Sequence, residues 1–156
     1  MIRYLLVPVL ALSALAACQD GDDVAEASRA VEMAPLIDPN SATRAELAAV
    51  QGLDDELAMM IVEQRPFEDG VAFVRMLEEY RDDETRDVVL GQVFVPLGLN
   101  STAEQDFEVI PGVGRKMAHE FEEYRPYGDM AQWEREIGKY VDAEELARLR
   151  RYVVVD

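Results

Sequence analysis

The chain is poor in the residues that staple small exported folds and build compact active sites. Its 156 residues include one cysteine, one histidine and one tryptophan. A lone cysteine, Cys18, excludes an internal disulfide, so even in an oxidising compartment the fold must rest on apolar packing. A composition that is 49% hydrophobic is enough for that. The lone histidine, His119, excludes the two-histidine helical zinc pattern, because His119-Glu120 has no second histidine one turn later. Positive charge is scarce too: 15 Lys and Arg stand against 32 Asp and Glu, a net charge of −17. Such a chain is repelled by bulk nucleic acid and by anionic membrane surfaces unless its cations gather at one place. The carboxylates show neither metal-loop spacing nor pairing in an apolar pocket, and read as a solvated acidic surface. We therefore expect no catalytic residue, no metal ligand and no enzyme.

Long apolar runs are missing as well. Leu5 to Leu12 is apolar apart from Pro8, follows Arg3, and is too short for a stable membrane span. With Leu15-Ala16-Ala17-Cys18 behind it, residues 1–17 read as an export signal. The end of this segment resembles a bacterial lipobox, in which the cysteine is lipidated and becomes the new N-terminus. That resemblance assigns Cys18 as a lipid anchor, to which each buried methylene would contribute about 0.8 kcal/mol. Gln19 at the next position favours the outer membrane by the same resemblance. An ordinary secretory peptide with an incidental cysteine, or a short N-terminal anchor, fits the residues too. Residues 18–35 carry Asp20, Asp22, Asp23, Glu26 and Glu32 without apolar periodicity, and read as a solvated acidic tether.

What is present is a repeat. With an offset of 60 and no gap, Asn40 falls on Asn100, Ser41 on Ser101, Gly52 on Gly112 and Ala58 on Ala118. The register runs on through Arg65/Arg125, Pro66/Pro126, Asp69/Asp129, Asp82/Asp142 and Val93/Val153. Chance does not hold register over a whole domain length, so the chain contains an internal duplication.

Each copy reads as a string of short helices. In the first, Asn40 or Ser41 caps a helix over Arg44 to Val50, and a second runs from Asp55 to Gln64 until Arg65-Pro66 stops it. A third carries Phe73, Met76 and Leu77, and a fourth Val88, Val89 and Val93. The second copy repeats the pattern with Phe107 and Ile110, then Met117 and Phe121, then Trp133 and Ile137, then Leu146 and Leu149. Phe73 and Trp133 read as core. The β-branched tails at Val93 to Val95 and Val153 to Val155 suit a short strand. A unit of this size is marginal alone, so the two are expected to pack together through the Val93–Leu99 junction.

Helix, Pro111-Gly112-Val113-Gly114, helix resembles a helix-hairpin-helix motif. The phrases Asn40-Ser41-Ala42-Thr43, Glu46-Leu47 and Glu63-Gln64-Arg65-Pro66-Phe67 resemble the ComEA competence-protein family, whose members bind DNA in the bacterial envelope. The photosystem extrinsic protein PsbU has the same fold in a structural role. The resemblance implies an all-α fold of two tandem ComEA/PsbU-like helix-hairpin-helix units, over 36–98 and 99–156. It also implies sequence-independent DNA binding connected with DNA uptake. A second glycine hairpin, usual in such units, is absent: those places read Arg81-Asp82-Asp83 and Val141-Asp142-Ala143.

The physics of the motif assigns the site. Two glycines permit a tight turn with φ > 0 and a close approach of phosphate to the backbone. Unpaired amides at the start of the next helix, with the dipole behind them, attract an anion. Hairpin two has these parts in Gly112 and Gly114, with Val113 plugging the gap between helices and Arg115 and Lys116 adding charge. Arg125, Arg148, Arg150 and Arg151 are the other nearby cations. Hairpin one reads Gly52-Leu53-Asp54-Asp55-Glu56, three carboxylates where a phosphate would dock, and is read as structural. A hairpin of this type can hold a monovalent cation on its carbonyls; no other cofactor is expected. Glu120, Glu122 and Glu123 lie close enough to Arg115 and Lys116 to weaken their field, so a non-catalytic acidic scaffold that docks another envelope protein stays open beside DNA binding.

Overall fold

Two aspartates and an asparagine, recurring one repeat apart, explain where the helices begin and how each copy closes. The computed structural model describes residues 35–156. The first copy holds α1 (Arg44–Ala48), α2 (Asp55–Gln64), α3 (Gly70–Glu78) and α4 (Asp83–Leu90). The second holds a 3₁₀ helix (Glu104–Val109), then α5 (Arg115–Glu123), α6 (Met130–Ile137) and α7 (Ala143–Arg150). Asp69 and Asp129 cap α3 and α6, and Asp82 and Asp142 cap α4 and α7, each carboxylate accepting from an amide three residues on. The places that lack a second glycine hairpin are thus helix starts held by aspartate. The chain is mostly helical, and among the described residues no helix is long and apolar enough to cross a membrane. Residues 1–34, on which the expected export signal and the expected lipid anchor Cys18 fall, lie outside the described residues.

The expected cap of α1 is corrected. Thr43, not Asn40 or Ser41, caps it, in a reciprocal box with Glu46. Asn40 is engaged elsewhere: its side chain accepts from the Phe67 amide at 2.8 Å and donates to the Phe67 carbonyl at 2.9 Å. Asn100 repeats this on Tyr127 at 2.8 and 3.0 Å. Arg65 donates to the Pro39 and Ala42 carbonyls and Arg125 to that of Thr102, and both Arg-Pro bonds are cis. The identities at Asn and Arg therefore form one clamp per copy, fastening the turn before the first helix to the segment that follows the second. Where Thr43 has the counterpart Ala103, the capping box is lost and the first helix tightens to 3₁₀ form.

Both β-branched tails do enter short extended pairings, with parallel partners that the sequence does not name. Val93 bridges in parallel to Ile37, and one repeat later Leu97 pairs in parallel with Val153 and Gly98 with Val154. The named strands are thus β1 (Leu97–Gly98) and β2 (Val153–Val154). The junction serves both copies, because Val93 closes the first and Leu97 the second. Val93, Phe94, Leu97 and Leu99 are all buried, in one continuous core with Phe73, Leu77, Phe121 and Trp133. Phe73 and Trp133 are completely buried, a burial that contributes about 1.5–3 kcal/mol for a side chain of phenylalanine size. Across the junction Phe94 meets Tyr152 edge to face at 5.0 Å, and the Tyr152 hydroxyl donates to the Leu90 carbonyl at 3.2 Å. α3 also packs on the 3₁₀ helix of the second copy.

Candidate phosphate-binding hairpin

The two hairpins share a backbone path and differ in what fills it. Gly52 and Gly112 hold φ of 91° and 80°, the left-handed region that favours glycine. Leu53 and Val113 follow and are buried, Val113 plugging into the core. Gly114 departs from expectation. Its φ is −102°, extended backbone open to any residue, and a Cβ there would meet nothing within 4 Å. Only Gly112 is required by the turn; Gly114 leaves the helix start bare.

In hairpin one Asp54 occupies that start. Its carboxylate accepts from the Leu57 amide at 2.8 Å and from Arg81 at 2.6 Å. These two partners, the amide first, hold the Asp54 carboxyl below its ordinary range. Arg81 also donates to the Gly52 carbonyl at 2.9 Å, and Asp55 pairs with Arg44. The end is closed by its own side chains.

In hairpin two each closing group is missing. Gly114 replaces Asp54, Arg115 and Lys116 replace Asp55 and Glu56, and Val141 replaces Arg81. α5 has no side-chain cap and no acid in its first turn. Among the described residues the amides of Arg115 and Lys116 have no hydrogen-bond partner, and their exposed side chains make no ion pair. The five expected site residues, Gly112, Val113, Gly114, Arg115 and Lys116, thus form one turn. The four other cations do not join them as free charges. Arg148 lies beside Gly112 but is held by Glu145 through two bonds of 2.7 Å and stacks on Tyr152. Arg150 pairs with Glu134, Arg151 reaches the Gly91 carbonyl, and Arg125 is committed to Thr102. Sequence position alone could not separate these structural arginines from the unpaired pair. On its other side the hairpin borders a crevice of about 300 Å³, where Pro111 and Gly112 face Glu78, Asp87 and Glu108 with Arg86.

One group of surface carboxylates gathers around the histidine. Glu104, His119 and Glu122 come together, with His119 Nδ1 3.5 Å from Glu104 Oε2. Contact with Glu104 raises the Glu122 carboxyl above its ordinary range, while hydrogen bonds from Glu122 and His119 lower that of Glu104. Glu104 and His119 are fifteen residues apart and on different elements, so no local spacing signals the group. No family model matches the chain, and no curated protein or solved structure matches it.

Proposed function

We propose that the chain is an envelope protein of two ComEA-like helix-hairpin-helix units, anchored through a lipid on Cys18. In this reading hairpin two binds the phosphate backbone of DNA without sequence preference, in a role connected with DNA uptake. The observation that carries it is the bare start of α5, where unpaired amides and the helix dipole share the first turn with two cations that make no ion pair, against a sealed counterpart in the first copy. In this reading the hairpin binds and does not catalyse. Two cations reaching phosphate would give a slope of log affinity against log salt of about −2.

The acidic scaffold is the second reading, favoured by the net charge of −17 and by the structural commitment of four nearby arginines. Titrating labelled duplex DNA across a salt series separates the two. Binding that weakens steeply with salt supports the hairpin, and no binding at low salt supports the scaffold.

A further inference from the structure

We propose that Glu104, His119 and Glu122 form a binding site for one divalent transition-metal ion of the zinc type. The three side chains each offer a donor atom, all within 4.8 Å of one another. His119 and Glu122 stand three apart on one face of α5, and Glu104 reaches the same point from the 3₁₀ helix. Zinc bonds to imidazole nitrogen and carboxylate oxygen at about 2.0–2.2 Å, which puts adjacent ligands in a tetrahedron about 3.4 Å apart. The observed 3.5 Å between His119 Nδ1 and Glu104 Oε2 suits that bite.

The comparison between copies gives independent support. The corresponding positions in copy one are Arg44, Met59 and Val62, none a zinc ligand in that setting, and Arg44 pairs there with Asp55. The repeat folds without these donors, so the trio is an addition to copy two and no requirement of the fold. His119 and Glu104 are close enough to pair with each other, and Arg115 and Arg125 stand near the glutamates, yet the two carboxylates still crowd one another around a single imidazole, a repulsion that a bound cation relieves. Imidazole with two carboxylates favours zinc, nickel or copper over magnesium and calcium, which prefer all-oxygen shells. Three protein donors leave a position for water.

The test is calorimetric titration of the full-length chain, in non-ionic detergent, with zinc chloride in the presence of excess magnesium. The expected result is one equivalent bound with micromolar affinity, accompanied by a shift of the His119 imidazole proton resonances. His119→Ala and Glu104→Gln should each weaken that site by roughly tenfold or more. Glu144→Gln, an exposed carboxylate outside the trio, should leave it unchanged. Circular dichroism of all variants should match wild type, since His119 and Glu122 are exposed and Glu104 only half-buried. Unchanged zinc affinity in His119→Ala, an equal loss in Glu144→Gln, or complete displacement by magnesium would overturn the site, each showing diffuse attraction to an acidic surface. These readouts contain no DNA, so they are independent of the hairpin proposal.

Discussion

Gly114→Asp should stabilise the protein and weaken its hold on DNA at the same time. The substitution copies Asp54 into hairpin two. Gly114 has φ −102° and a Cβ would meet open space, so an aspartate enters without strain. Its carboxylate can then take over the Met117 amide, which now reaches the Gly114 carbonyl at 2.9 Å, as Asp54 accepts from Leu57 at 2.8 Å. Aspartate exceeds glycine as an N-cap by a few tenths of a kcal/mol, and a negative charge on the dipole adds about 0.3–1 kcal/mol. Removing a glycine also restricts the unfolded chain. Together these give about 1 kcal/mol, which raises the thermal midpoint of a chain this size by about 3–5 °C. The same carboxylate occupies the point where a phosphate would dock, so DNA affinity should fall. Scanning calorimetry and fluorescence anisotropy at low salt read the two effects on one preparation. Gly112→Ala is the counter-case: with φ at 80° it should cost about 1–2 kcal/mol. A Gly114→Asp protein with a lowered midpoint would refute the reading of α5 as an open helix start. A stabilised one that binds DNA as before would refute docking at that point.

Three further outcomes follow from the same geometry. Asn100→Ala removes both partners of the buried Tyr127 backbone, and should cost about 2–4 kcal/mol in urea unfolding; a loss below about 1 kcal/mol would contradict the clamp. Asp54→Asn keeps a cap but removes the charge held by the Leu57 amide and Arg81. Because the folded carboxyl lies below its unfolded value near pH 4, its stabilisation is complete above that pH and fades as pH falls through the folded value. The midpoint gap between wild type and Asp54→Asn should therefore be full at neutral pH and close on acidification, and a constant gap would be wrong for this cause. Cys18→Ala should abolish lipid labelling and detergent partitioning, and unchanged partitioning would remove the anchor.

The helices were legible because each depends on nearby residues. The limits of α2 follow from Asp54 at one end and Arg65-Pro66 at the other, and the burial of Phe73 and Trp133 follows from helical spacing. The shared junction was legible as a place, although its pairing was not. Parallel partners such as Leu97 and Val153 lie most of a repeat apart, and nothing local sets their register. Asn40 looked like a cap because asparagine often is one; only the folded chain shows it spent on Phe67. The hairpin residues could be placed from the glycines alone, yet the freedom of Arg115 and Lys116 could not. It depends on where Arg125, Arg148, Arg150 and Arg151 find their partners, and those lie elsewhere in the sequence.

The double substitution Arg115→Glu with Lys116→Glu puts the central claim to its most direct test. It reverses the two unpaired cations, leaves Gly112 and the turn untouched, and alters exposed positions only. Duplex DNA affinity should be measured for wild type and variant across a salt series, after circular dichroism shows the same helical content. The account predicts measurable wild-type binding with a log–log salt slope of about −2, and a variant with lower affinity and a slope flattened by about one unit for each phosphate no longer neutralised. A folded variant that binds DNA as tightly as wild type, with the same slope, would contradict it and leave the acidic scaffold as the better reading.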